Sequence, residues 1–171
     1  SYSLMGNSHW LKATDSERRT VIEAFATNAC FSRVQMANTG LSDALGAAWG
    51  PVLRSNSTIT SLNLESNSVS NATIEAIASV WRSCGNSQST LRELKLANQR
   101  VTSSQRSEEA LAEALEHNLA ILKLTFDHRS IRARDLAARY LRRNADAERR
   151  ARSFLRKSTD GSSSCSPPHH V

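Results

Sequence analysis

The side chains able to do covalent or metal chemistry are few and scattered. Histidines stand at 9, 117, 128, 169 and 170, and cysteines at 30, 84 and 165. A metal site needs three or four ligands at short spacing, and a nucleophilic site needs a Ser or Cys with a base to activate it. Neither pattern occurs, and there is no phosphate loop or nucleophile elbow. His117 falls at a helix end and His128 at a strand end, where a surface or capping role is the simpler reading. His169 and His170 lie in a Ser/Pro-rich stretch, and two imidazoles on a tail do not define a site. Glu108, Glu109, Glu113 and Glu116 read as one solvated helix face. Three cysteines without metal or redox spacing read as small residues in a reducing compartment. The expectation is therefore a protein that is not an enzyme, with no catalytic residue, no cofactor and no metal.

What remains is binding chemistry, and it is concentrated in one place. Between His128 and Lys157 there are 11 Lys and Arg against 3 Asp and Glu, a net +8, while the rest of the chain holds 11 against 13, a net −2. Clustered Arg attracts phosphate and carboxylate alike, so charge alone leaves three readings: a solvated cap, a protein-docking face, or a nucleic-acid face. The segment carries only Tyr140 and Phe154 as aromatics, both at apparent core positions, so it lacks a stacking platform and nucleic acid ranks last. No apolar run approaches the ~18 residues a membrane span needs.

The elements that position these groups follow from a repeat. Ile59-Thr-Ser-Leu62-Asn-Leu64-Glu-Ser-Asn67 recurs as Phe31-Ser-Arg-Val34-Gln-Met36-Ala-Asn38, Leu91-Arg-Glu-Leu94-Lys-Leu96-Ala-Asn98 and Ile121-Leu-Lys-Leu124-Thr-Phe126-Asp-His128. The copies begin at 31, 59, 91 and 121, a spacing of 28, 32 and 30 residues that lies in the leucine-rich-repeat range. In each copy the central residues alternate in period two, as a short strand does, and the Asn that follows can bond the backbone as the chain turns away. The residues on the opposite face, at 33, 35, 61, 63, 93, 95, 123 and 125, are polar.

Between the strands lie helical stripes. Asp15 or Ser16 can cap a helix to about Thr27 with Val21, Ala24 and Phe25 on one face. Ser42 or Asp43 can cap a helix with the stripe Leu45, Ala48, Trp49, Val52 and Leu53, broken or kinked at Gly50-Pro51. Ile74, Ile77, Ala78 and Trp81 form the next stripe, ending near Gly85; Leu111, Ala114 and Leu115 form the one after. Asn28, Asn56 and Asn118 close three of these helices at equivalent positions. A long basic helix is expected from about Ser130 to Lys157, with Asn144 as its candidate bend and Leu136, Ala137, Tyr140, Leu141, Ala147, Ala151, Phe154 and Leu155 as candidate buried positions. The fold expected is α/β: a right-handed leucine-rich-repeat solenoid with a parallel sheet, outer helices and a C-terminal capping helix. Residues 1–14 read as a loose lead-in, 15–157 as the repeat domain with its basic helix, and 158–171 as a disordered Ser/Pro-rich tail.

Particular residues carry a resemblance. Ser61-Leu-Asn-Leu-Glu-Ser-Asn67 with Val69-Ser70, Leu91-Arg-Glu-Leu-Lys-Leu-Ala-Asn-Gln99 and the Ala-Leu-Glu-His-Asn118 helix end resemble consecutive repeats of the leucine-rich domain of the tropomodulin and leiomodin family. The ending is similar too, with Arg132-Ala-Arg134, Ala138-Arg-Tyr140, Asn144-Ala-Asp146 and Arg149-Arg150. The resemblance implies a cytoplasmic, cytoskeletal domain that binds actin and contributes to capping filament pointed ends by covering terminal subunits. Nothing like the family's tropomyosin-binding helices stands in Ser1 to Asp15. On this reading the contact residues are those of the strand-to-helix loops and the last helix: Asn38, Glu65, Asn67, Asn98, Gln99, Arg132, Arg134, Arg142, Arg143, Arg149 and Arg150. For Asn38, Asn67 and Asn98 the rival reading is that each only bonds its own loop. The rival functions are a protein-interaction scaffold with another partner and, last, RNA binding through the basic helix. The chain is expected to be monomeric.

Overall fold

The computed structural model describes residues 1–84 and 90–160. Five parallel strands form one sheet in chain order: β1 (Tyr2–Ser3), β2 (Arg33–Gln35), β3 (Ser61–Asn63), β4 (Glu93–Lys95) and β5 (Lys123–Thr125). The repeat sets the register. Val34 lies beside Leu62, Leu62 beside Leu94 and Leu94 beside Leu124. Val34, Leu62 and Leu94 are fully buried, as are Met36, Leu64 and Leu96 two residues on. The first apolar residue of three copies, Ile59, Leu91 and Ile121, is buried in the same core.

The first helices are α1 (Ser8–Lys12), α2 (Asp15–Ala24), α3 (Asp43–Gly46) and α4 (Trp49–Ser55). The cap of α2 is Thr14, one residue before the nearer candidate, Asp15, in a reciprocal capping box with Glu17. Its buried face carries Ile22 and Phe25, while Val21 is exposed. The anticipated break is real but falls at residues 47–48, so Pro51 sits in the first turn of α4, where its missing N–H costs no helical bond. Helix α5 (Asn71–Cys84) lies against both short helices. A Cβ on Gly46 would stand 2.2 Å from Thr73 Oγ1 and one on Gly50 2.9 Å from Ala76 Cβ, so this close approach depends on glycine. Helix α6 (Gln105–Ala114) continues into a 3-10 turn, Leu115–His117, and α7 spans Ile131–Asp160 as one helix without a break at Asn144.

The three closing asparagines act alike. Asn28 Oδ1 accepts from the backbone of Cys30 and Phe31, Asn56 Oδ1 from Thr58 and Ile59, and Asn118 Oδ1 from Ala120 and Ile121. The amide of Asn56 also reaches back to the carbonyls of Phe25 and Asn28, at 2.6 and 2.9 Å. Asn144 does this for the last repeat, donating to Asn118 O and Ile121 O at 2.8 Å each. A helix residue thus takes the place that the next turn would have filled.

Two expectations are corrected. Residues 1–14 are not loose: β1 pairs with β2, Trp10 is buried, and its Nε1 donates to Thr39 O at 2.8 Å. The Tyr2 ring packs against Phe25 and Phe31 with centroids 5.2 and 5.1 Å apart, sealing the open end of the core. The other correction concerns α7. Ala133, Ala137, Tyr140 and Asn144 are buried, whereas Ala147, Ala151, Phe154 and Leu155 are exposed, because the sheet ends at β5 and the helix runs on past it. The helical backbone continues through 158–160; the remainder of the expected tail, 161–171, with Cys165, His169 and His170, lies outside the described residues, as do Gly85 and the connection at 86–89.

Where the core stops can be measured by denaturation. Asn144→Ala leaves two buried carbonyls without a donor and should lower stability by about 2 kcal/mol, while Phe154→Ala should change it by less than about 0.5 kcal/mol. Equal losses would place the distal helix in the core after all.

Candidate protein-binding surface

The strand-to-helix turns form one rim of the sheet. Asn38, Ser66 and Asn98 occupy equivalent places there, each with positive φ, at 51°, 58° and 59°. Asn tolerates this conformation better than most residues, and that requirement accounts for two of the three. Neighbouring turns are tied by Asn38 N to Glu65 O and Ser66 N to Ala97 O, at 3.0 and 3.1 Å. At the next step Asn98 N donates to the Asp127 side-chain carboxylate of the fourth copy rather than to a backbone carbonyl.

The predicted rim residues divide by one position. Asn67 follows the left-handed residue and points inward: it is fully buried, accepts from Thr39 N and Leu41 N at 3.0 and 3.1 Å, and donates to Met36 O and Leu64 O at 2.7 and 3.0 Å. Gln99 holds the same place one repeat later, donating to Leu64 O and Leu96 O and accepting from Val69 N. Both are structural. Asn38 and Asn98 are exposed, and Glu65 is half-buried. Arg100, which the sequence pattern did not single out, crosses two repeats to donate to Asn38 Oδ1 at 2.9 Å; its adjacency to Gln99 in the longest loop was the available signal. Arg129 is exposed on the same rim, beside a cavity of about 240 Å³ floored by Leu96 and Phe126.

The arginines of α7 also divide. Arg143 is held by the carbonyls of Leu115 and Glu116, at 2.8 and 3.0 Å, and lies over the Tyr140 ring at 5.0 Å, so it caps the α6 end. Arg132 pairs with Glu113 at 2.8 Å, Arg134 approaches Asp135 at 3.5 Å, and Arg149 pairs with Asp146. All three pairs are solvent-exposed, where screening leaves little net stabilisation and keeps the guanidinium available to another partner. Arg142 and Arg150 are exposed and form no ion pair with another described residue. Arg132 and Arg134 follow rim residue Arg129 within the first turn of α7, whereas Arg142, Arg143, Arg149 and Arg150 lie further along the helix.

Carboxylates do structural work that the sequence pattern hid. Glu108 is not part of a solvated face; it is fully buried, and its Oε2 accepts from Arg129 N and Ser130 N at 2.9 Å each, capping the start of α7. Asp43 does the same for α5, accepting from Ser70 N, Ala72 N and Thr73 N at 2.7 to 2.9 Å. Burial pushes the Asp43 pKa up, but the bonds from Thr73, Ala72 and Ser70 outweigh it and hold the carboxyl below its ordinary value. On the polar sheet face, a hydrogen bond from Lys123, 3.0 Å away, is the main reason Glu93 also lies low, with Ser61 and Lys95 adding to it. His128 packs edge-on against Phe126 at 4.8 Å, and burial pulls its pKa below the usual imidazole value. Among the described residues no three His, Cys, Asp or Glu side chains converge as metal ligands, and no helix is long and apolar enough to cross a membrane.

This architecture has known counterparts. The sequence profile of the TMOD/LMOD leucine-rich domain matches residues 11–147. The chain belongs to the tropomodulin and leiomodin leucine-rich-domain family. Human leiomodin-1 is 33% identical over 130 residues, covering 76% of this chain and 21% of that protein. Rat leiomodin-2 is 30% identical over 139 residues, 81% of this chain and 25% of that protein. The chain thus spans about a fifth to a quarter of the leiomodins it matches. A solved structure described as leiomodin-1 actin-binding site 2 superposes with a TM-score of 0.77 and 30% identity, over 86% of this chain and 83% of that one. The tropomodulin C-terminal domain of Caenorhabditis elegans, at TM-score 0.71 and 21% identity over 85% of both chains, shares the fold. The tropomodulin and leiomodin match stops at residue 147, close to where α7 leaves the solenoid.

Two measurements check this assignment of roles. Asn67→Ala should cost about 3 kcal/mol, since several buried backbone groups lose their partner, whereas Asn38→Gly should stay within about 0.5 kcal/mol; similar losses at both sites would refute the inward and outward division. For His128, burial holds the folded pKa below the ordinary imidazole value, so its contribution is fully present above that value and is lost as pH falls. The denaturation midpoint should therefore drop between about pH 7.5 and pH 5.5, and His128→Gln should flatten that drop.

Proposed function

We propose that this chain is a non-enzymatic actin-binding domain of the cytoplasmic cytoskeleton that contributes to covering filament pointed ends. The single observation that carries this is the 30% identical match to the solved actin-binding site 2 of leiomodin-1 over 86% of the chain. The charge distribution agrees with it. Actin is acidic, and α7 presents exposed arginines on a helix already anchored by Asn144, Arg143 and Tyr140, so docking need not order that part of the backbone. The turn rim supplies a second group of contacts in Asn38, Asn98 and Arg100. A rigid body that touches two subunits at once adds modest contacts into useful affinity, and its bulk obstructs the next subunit. No reacting group is needed.

Of the predicted contact residues, Arg142 and Arg150 are the ones on which function is best tested, because nothing structural holds them. The double variant Arg142→Ala/Arg150→Ala should co-sediment with actin filaments several-fold more weakly at low salt while its denaturation midpoint is unchanged. Arg143→Ala should instead lower stability. Absence of filament binding by the unaltered chain at every salt concentration would sink the proposal, and retention of RNA in the control would favour the basic helix as a nucleic-acid face.

A further inference from the structure

Beyond the Glu148 carboxylate, which lies 3.9 Å from Arg92, every described side chain of α7 from 149 to 156 is exposed. This segment reads Arg149-Arg150-Ala-Arg152-Ser153-Phe154. It places arginines four, three and one residues before a serine and a large apolar residue directly after it. That is the pattern an arginine-directed serine kinase recognises, because carboxylates in such an enzyme's cleft pair with guanidinium groups ahead of the acceptor.

Arginine density and exposure together separate Ser153 from its competitors: the exposed Ser55 and Ser57 have only Arg54 before them, one and three residues away. Ser130 follows Arg129 and Ser107 follows Arg106, but both serines are buried. Ser103 has Arg100 three residues before it, yet its hydroxyl donates to Glu108 at 3.0 Å. A kinase must also draw its substrate into an extended form. The described side chains at the end of α7 are exposed, and an exposed helix end opens locally at lower cost than a buried one.

We propose that Ser153 is a phosphorylation site for an arginine-directed serine kinase, and that its phosphate weakens partner binding by the basic helix. Ser153 Oγ attacks the γ-phosphorus of ATP, the bond to the bridging β–γ oxygen breaks, ADP departs, and the hydroxyl proton passes to the kinase's base. Residues 146–157 hold 5 Lys and Arg against 2 Asp and Glu, a net +3. The phosphate adds roughly −1.5 to −2, leaving about +1. Arg149, Arg150 and Arg156 stand four and three residues before Ser153 and three after it, the spacings that share a helix face, so the phosphate draws them to itself and away from a partner. The regulatory half rests on the actin reading above; the site does not.

The full chain is incubated with labelled ATP and the catalytic domain of an arginine-directed serine kinase, and the site is located by peptide mass spectrometry. About one phosphate per chain at Ser153 is expected, lost in Ser153→Ala and slowed several-fold in Arg150→Ala. No incorporation, phosphate on other residues alone, or undiminished labelling of Ser153→Ala would overturn the assignment. Phosphorylated chain should then bind filaments several-fold more weakly than unmodified chain, and equal binding would overturn the regulatory role. A chain that takes the phosphate at Ser153 but never sediments with filaments overturns the actin reading and the regulatory role with it, while the labelling upholds the site.

Discussion

Each turn between repeats buries backbone N–H and C=O groups that water cannot reach, and every one must find a partner or cost the fold about 1–3 kcal/mol. In this chain the partners come from short polar side chains of the adjoining repeat. Asn67 alone serves the backbone of Met36, Thr39, Leu41 and Leu64, and so joins two rungs. Asn56 ties its turn to the one before it, and Asp43 and Glu108 cap helices that follow their own. A rung is complete only when its neighbour is in place. This interdependence makes the stack a single stiff body despite strands of two or three residues.

A stack of this kind leaves a problem at each end, where the next rung is missing. At the start, Tyr2 and Trp10 cover the first repeat with aromatic surface and one indole hydrogen bond. At the finish, polar substitutes take over: Asp127 replaces a carbonyl, Asn144 replaces a turn asparagine, and Arg143 satisfies the last carbonyls of the α6 end. The arginine-rich helix is therefore structural over its first half. Past Glu148 it has a different character, with charges facing water and the sheet no longer beneath it. Regulation is assigned to that outer part because its described side chains are exposed, while the binding candidates also include Arg142 and the turn rim.

The sheet register was legible from the chain. Val34, Leu62, Leu94 and Leu124 pair as the repeat demands, since a one-residue slip would turn every core side chain to the wrong face. The turn asparagines were legible in kind but not in direction. Asn38 and Asn67 look equivalent in sequence, yet one occupies the left-handed position and the next residue is the one that turns inward. Side-chain reach across repeats left no local trace either, so Glu108 resembled any other glutamate on a helix with four of them.

The amino-acid order by itself determined the α/β repeat architecture, the rung register and the concentration of positive charge near the end, because periodic burial and composition are properties of the linear chain. Tertiary structure alone decided that residues 1–14 close the core, that α7 is half anchor and half projection, and which arginines are occupied. Those outcomes depend on partners that are remote in sequence, Trp10 on Thr39 and Asn144 on Asn118, and on where the sheet runs out. A periodicity has no way of announcing where its last neighbour is missing.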